Sequence, residues 1–191
     1  VVSTYQIDTA KKIILFPARM TNWKGQLEFF HTIKTMDLQN ILILFAGDTK
    51  NESYTKLVRD AIKQNNLTST FKILGSLNQD EMRVLYQLAD LSVSFPWRGE
   101  GFGRTVSESL YSNTPVLAFD YGGVKNQLEN LSHMFKIKPQ DYQDLPIKIE
   151  KLLSLPENQK KEALQDSKLE IESNFSKINM VNQYMKLYES V

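Results

Sequence analysis

The sequence predicts an α/β fold: a three-layer α/β/α sandwich with a parallel sheet at its centre. Three observations support this. Short apolar runs rich in Ile, Leu, Val and Phe recur along the first two-thirds of the chain. Each is followed by an amphipathic stretch of about three helical turns. Gly, Pro, Asp and cationic residues gather directly after the runs. A continuous apolar run suits a strand covered on both faces, and an intervening helix supplies the crossover that parallel pairing needs.

Taken in order, Ile13–Phe16 reads as a buried strand and Gln26–Met36 as the helix after it. Ile41–Ala46 is the second strand, Ser53–Asn65 a helix, and Phe71–Leu74 the third strand. Gln79–Leu88 is helical, with Met82, Leu85, Tyr86 and Ala89 on one face. Leu91–Phe95 is a strand, Arg104–Tyr111 a helix and Val116–Phe119 a further strand. From Asp141 onward the chain reads as helical, in the segments Tyr142–Leu153, Pro156–Ser173 and Ser176–Ser190. Pro156 suits a helix's first turn. In the last segment Ile178, Val181, Tyr184, Met185 and Tyr188 recur at helical spacing. That stripe is expected to pack on this domain, with a partner domain as the alternative. Residues 1–191 are therefore one Rossmann-like domain, with 1–11 as a linker and 175–191 as a terminal helix.

Composition narrows the function. The 191 residues are 41% hydrophobic and 24% charged, as in an ordinary globular chain with a real core. A formal net charge of +1 gives no case for nucleic acid. The absence of cysteine removes disulfides, thiolate metal sites and a Cys nucleophile together. The longest apolar runs fall far short of the roughly 20 residues of a membrane helix. No signal-peptide pattern is present, and the chain opens on Val1. It is expected to be a fragment of a longer protein and to be cytoplasmic, with the inner face of the membrane as the alternative place.

Ligands of open α/β sheets bind beyond the carboxyl ends of the strands, where the strand order reverses. The residues just after each strand are therefore informative. Pro17-Ala18-Arg19 and Asn22-Trp23-Lys24-Gly25 come after the first, and Gly47-Asp48-Thr49 after the second. Gly75-Ser76 come after the third, Pro96 through Gly103 after the fourth, and Asp120-Tyr121-Gly122-Gly123 after the fifth. This edge is expected to hold an anion. Gly99-Glu100-Gly101-Phe102-Gly103 runs into a helix whose first amides are unpaired donors at the positive end of its dipole. A diphosphate fits there; a plain tight turn is the other reading. Glu100 lies in that loop and Glu108 about one and a half turns into the helix, at about 1.5 Å per residue. Carboxylates at two heights can accept hydrogen bonds from the hydroxyls of two sugar rings flanking a diphosphate. Otherwise they are solvated surface groups. Arg19, a planar fork, and Lys24, a point charge, can neutralise a diphosphate and stabilise it more as its charge grows on leaving.

In order, Arg19…Lys24-Gly25, Gly47-Asp48, Phe71-x-x-x-Gly75, Pro96-x-x-x-Glu100-Gly101-Phe102-Gly103, Glu108, Thr114-Pro115-Val116 and Gly122-Gly123 resemble the C-terminal domain of glycosyltransferase family 4, the retaining GT-B enzymes. The likeness runs from about Lys12 to the last helix, where Asn174-Phe175-Ser176 also fits. It implies that Glu100 touches the transferred sugar and that Glu108 holds the ribose. Gly101, Phe102 and Gly103 would offer backbone groups to sugar or diphosphate, with Gly47 alongside. Arg19 and Lys24 would form the cationic pair, and the segment Leu74–Leu77, including Gly75 and Leu77, would border the base, largely through backbone groups. It also implies a nucleotide-sugar donor, a glycan or lipid-linked acceptor, and bacterial cell-envelope or lipopolysaccharide synthesis. No cofactor and no divalent metal are expected, and the chain contains no Asp-x-Asp. An N-terminal domain outside the chain would supply most of the acceptor site and any peripheral contact with a membrane. The chain alone is expected to bind a nucleoside diphosphate weakly and to transfer nothing.

Some positions depart from that pattern. Asn126 stands where the family usually has Glu, with Lys125 beside it and Glu129 a turn further on. Ser112-Asn113 replaces small residues followed by Gly, and Leu131–Lys138 lacks the usual Gly. Trp97, Arg98 and Arg104 flank the motif, as loop packing or as a route for the acceptor. His31, in a helix, and His133, in a loop, have no metal-ligand partner at useful spacing. The rival functions are another GT-B enzyme, such as a sugar-nucleotide epimerase or a phosphorylase, and a non-catalytic interaction module of the same fold.

Overall fold

The computed structural model describes residues 1–129, 135–165 and 167–190. His133 and the first half of the Leu131–Lys138 segment, 131–134, lie outside the described residues. Six strands form one sheet: β1 (Lys12–Pro17), β2 (Ile41–Ala46), β3 (Phe71–Gly75), β4 (Leu91–Ser94), β5 (Val116–Phe119) and β6 (Lys136–Ile137). Their order is β3-β2-β1-β4-β5-β6, with every neighbouring pair parallel. The predicted three-layer α/β/α architecture is what the chain adopts. Helices α1 (Gln26–Ile33), α2 (Glu52–Gln64), α3 (Gln79–Leu88), α4 (Arg104–Tyr111) and α5 (Gly123–Gln127) connect the strands. Beyond β6 come α6 (Leu145–Ser154), α7 (Glu157–Leu164), α8 (Ser167–Phe175) and α9 (Lys177–Glu189).

Alternation along β1 divides the core. Ile14 and Phe16 face the layer built from α1, α2 and α6. Ile13 and Leu15 face Leu85 and Tyr86 of α3, together with Ile7 of the N-terminal segment. Both faces of the central strands are thus dry, which is why β1 and β2 carry no polar alternation. Residues 1–11 form no helix or strand, but Ile7 is buried and Lys72 donates to the Tyr5 and Gln6 carbonyls.

Four phenylalanines knit the first layer beneath the central strands. Phe16 of β1 meets Phe29 of α1 at 5.3 Å and Phe45 of β2 at 5.6 Å, both edge-on. Phe29 stacks on Phe95, the residue after β4, at 5.7 Å. Edge-on and stacked rings add to the burial of their large surfaces.

The structure corrects the sequence reading in three places. Pro156–Ser173 is not one helix; it breaks between α7 and α8 around Gln165. A short helix, α5, and a two-residue strand, β6, follow β5, where neither length nor periodicity announced an element. The stripe on α9 does not pack on this domain. None of its residues is buried, and Ile178 and Tyr188 are 74% and 76% exposed. The spacing is helical, but none of the described residues of this domain buries it.

Phe29→Ala should lower stability by about 3–5 kcal/mol in urea unfolding, since it empties the centre of a packed ring cluster. Ile178→Ala should change it by less than about 0.5 kcal/mol, as exposed positions do.

Candidate functional site

The sheet order decides where two loops meet. The chain runs outward through β1, β2 and β3, then returns to place β4 on the other side of β1. The loops leaving β1 and β4 therefore part to opposite sides and open a crevice between them. A cavity of about 750 Å³ lies there. Arg19, Lys24, Gly47, Leu77, Glu100, Gly101, Phe102, Gly103 and Glu108 all line it. Gly75 does not; its carbonyl accepts the Gly47 amide at 2.9 Å and so fixes the loop behind the wall.

The wall after β1 is set by backbone ties. Buried Gln26 donates through its side chain to the Arg19 carbonyl at 2.8 Å, shaping the turn that presents Arg19. A single 3-10 turn, Asn22–Lys24, precedes Gly25, whose φ of 84° starts α1. A side chain at Gly25 would be strained by that φ and would meet the Phe95 carbonyl at 2.5 Å. The Trp97 amide donates to the Trp23 carbonyl at 2.9 Å, joining this wall to the loop after β4.

The opposite wall is the Gly99–Gly103 loop and the start of α4. Gly103 caps α4 without a side-chain acceptor, whereas α2 and α3 carry Asn caps. The first amides of α4 are therefore directed donors at a helix's positive end. The loop is held from below. The Gly123 amide donates to the Glu100 carbonyl at 3.0 Å, and any Cβ on Gly123 would overlap the Gly101 carbonyl. Buried Gln127 donates to the Phe102 carbonyl and accepts from Ser107 Oγ at 2.6 Å. From the side, the Phe102 ring meets Phe175, at the end of α8, with centroids 5.5 Å apart.

The charged groups are paired across this frame. Lys24 Nζ forms an ion pair with Glu100, both side chains being mostly buried, and lies 4.3 Å from the Trp23 ring centre. Glu108 accepts from Arg104 Nη2 at 3.1 Å on one oxygen and from the Tyr86 hydroxyl at 3.0 Å on the other. Burial, together with the charge and hydrogen bond of Glu108, pushes the Tyr86 phenol well above its ordinary 10.0; Arg104 opposes this only in part. Tyr86 is thus a fixed donor that orients Glu108. Exposed Arg19 has no carboxylate partner among the described residues. Among the described residues no cluster of three or more His, Asp or Glu is placed to hold a metal.

Met82, Tyr86 and Thr105 also line the cavity and Gln127 supports it, roles that the sequence pattern does not announce; Asp48 and Ser76 from the polar edge and Arg104 beside the motif line it as well. Helical spacing assigns Tyr86 to the core face of α3, and its side chain is indeed buried. Only its hydroxyl reaches Glu108, 22 residues away along the chain. Asn126 is exposed, and Gln127 beside it makes the inward contact.

The family described as "Glycosyl transferases group 1" matches residues 3–167. Among curated relatives, an uncharacterized glycosyltransferase of Methanocaldococcus jannaschii is 26% identical over 145 residues, covering 75% of this chain and 36% of that protein. A trehalose synthase of Thermococcus litoralis is 24% identical over 195 residues, covering 97% of this chain and 46% of that protein. A glycosyltransferase structure from Rickettsia africae superposes with a TM-score of 0.90 at 26% identity, over 99% of this chain and 50% of that one. Anabaena HepE, solved with UDP and glucose, gives 0.83 at 21% identity, over 95% of this chain and 49% of that one. The chain thus spans half or less of the length of these relatives.

Tyr54, pushed up to about 12 mainly by burial, and Tyr86 both keep their protons in the folded state where an unfolded chain would lose them. Their contribution to stability is full below about pH 10 and is lost as pH rises through the folded-state values, about 12 for Tyr54 and higher than ordinary for Tyr86. The urea midpoint should therefore hold below about pH 10 and fall between about pH 10 and pH 12. Tyr86→Phe should remove one late-titrating phenol from the ultraviolet titration and cost about 1 kcal/mol, by leaving one Glu108 oxygen without its donor.

Proposed function

Because the chain belongs to the glycosyl transferases group 1 family, we propose that it is the donor-binding domain of a retaining, family 4-like GT-B glycosyltransferase. One observation carries this. The crevice between β1 and β4 sets two cations, Arg19 and Lys24, opposite a helix N-terminus flanked by Glu100 and Glu108. That arrangement matches a nucleotide sugar along its length, with hydroxyls, diphosphate and ribose in turn.

On this reading the diphosphate lies against the α4 amides with Arg19 and Lys24 beside it. Glu100 accepts hydrogen bonds from the hydroxyls of the transferred sugar, and Glu108, oriented by Tyr86, accepts from the ribose. As the glycosidic bond lengthens, the sugar gains oxocarbenium character and negative charge builds on the leaving phosphate. Fixed cations and amides stabilise that growing charge more than they stabilise the bound donor. The phosphate oxygen on the same face assists the incoming acceptor hydroxyl, so configuration is retained. No metal and no cofactor take part. HepE, solved with UDP and glucose, supports a UDP-sugar as one candidate donor.

The acceptor is a glycan or a lipid-linked sugar, and the role is in bacterial cell-envelope synthesis on the cytoplasmic side. Most of the acceptor site belongs to a further half of the protein. The exposed apolar face of α9 is the surface proposed to meet that half. Among the described residues no helix is long and apolar enough to cross a membrane.

Titration calorimetry with UDP, GDP and ADP should give weak binding to at least one. A folded sample that produces no heat with any of them at millimolar concentration sinks the proposal. In a full-length enzyme Glu100→Gln should reduce transfer by about 100-fold or more, on the scale of losing a group that acts on the transition state; near-normal turnover would remove Glu100 from that role.

A further inference from the structure

We infer that the Lys24–Glu100 ion pair makes the cleft prefer a nucleotide sugar to the nucleoside diphosphate that transfer leaves behind. The inference rests on the donor-site reading and concerns how the site tells a donor from its product.

Three cations line the cavity, and they are not equivalent. Arg104 is engaged by Glu108 on the surface of α4. Lys24 is engaged by Glu100, with side chains only 13% and 15% exposed. Arg19 alone of the three has no carboxylate partner among the described residues. A diphosphate entering the cleft therefore meets Arg19 and the α4 amides at no cost in protein contacts. To reach Lys24 it must take that residue from Glu100.

The outcome of that exchange depends on the sugar. A nucleoside diphosphate that draws Lys24 away leaves a mostly buried carboxylate with no counter-charge, close to a second anion. Breaking a buried pair by removing one partner is strongly unfavourable, and the repulsion between like charges adds to it. A nucleotide sugar brings its own replacement. Its hydroxyls donate to Glu100 as the lysine leaves, so both charges stay satisfied. The exchange of partners is balanced for the donor and unbalanced for the product. Once the sugar has gone to the acceptor, Glu100 reclaims Lys24 and the diphosphate loses a cation. The pair belongs to the two loops that the Trp97–Trp23 hydrogen bond ties together, so the groups stay within reach of one another. The Trp23 face also keeps the ammonium close by.

Calorimetry on this chain with UDP and UDP-glucose, and with GDP and GDP-mannose, tests the inference on wild type, Glu100→Gln and Lys24→Gln. Circular dichroism melts confirm that each variant is folded. In the wild type the nucleotide sugar should bind more tightly than its nucleoside diphosphate. Glu100→Gln frees Lys24 and removes the repulsion, so nucleoside diphosphate binding should tighten by about tenfold, and the preference for the sugar form should shrink, as expected for coupled charge pairs. Lys24→Gln should weaken the nucleotide sugar more than the diphosphate. If wild type binds but Glu100→Gln holds the diphosphate no more tightly, the inference fails and the donor-site reading stands. Equal losses for both ligands in Lys24→Gln also overturn it. If folded wild type binds none of the four ligands, the donor-site reading itself fails.

Discussion

Everything at the cleft depends on β1 pairing with β2 on one side and β4 on the other. Parallel pairing at Ile14–Leu91 and Leu15–Ser92 is what brings the β4 loop next to the β1 loop. The helices leaving β1 and β4 lie on divergent paths, and the space between them cannot be filled by the sheet itself. The Phe16, Phe29, Phe45 and Phe95 cluster fixes that geometry from below. Its rings come from β1, α1, β2 and the residue after β4, so the core and the cleft are set by the same contacts.

The loop after β4 shows how a glycine-rich segment can be both accessible and fixed. Gly101 and Phe102 are exposed to the cleft. The loop's backbone is held on the far side, at the Glu100 carbonyl by the Gly123 amide and at the Phe102 carbonyl by the Gln127 side chain. Those two contacts come from the turn and short helix after β5, one strand further across the sheet. The Gly122-Gly123 pair therefore serves the loop after β4 more directly than it touches a ligand, and Gln127 is its polar counterpart in the floor. A support of this kind keeps the amides at the start of α4 in a constant direction, which suits a group whose charge changes during reaction.

Pairing of opposite charges gives the cleft a second property. Glu108 is held by a buried neutral donor, Tyr86, and by a mostly exposed cation, Arg104. Among the described residues the Glu100 carboxylate is held by a cation, Lys24, with no neutral donor beside it. The two carboxylates, similar in sequence, are therefore tuned differently. One is oriented in advance by a buried phenol, the other released by exchange of partners.

Much of this was legible in the chain. Continuous apolar runs determined the parallel strands, because a strand dry on both faces has no polar side to show. Glycines and charges after those runs determined the polar edge, and the spacing of Glu100 and Glu108 placed them on a loop and its helix. What the sequence left open was settled by contacts between residues far apart along it. The Tyr86 hydroxyl, read from its helix face as core, reaches Glu108 only once the fold brings α3 near α4. Lys24 meets Glu100 only because the strand order reverses between β1 and β4. The face of α9 has a helical period whether or not anything covers it, and only the tertiary arrangement shows that this domain does not. Periodicity records which side of an element avoids water; it does not record which partner, on which strand, comes to meet it.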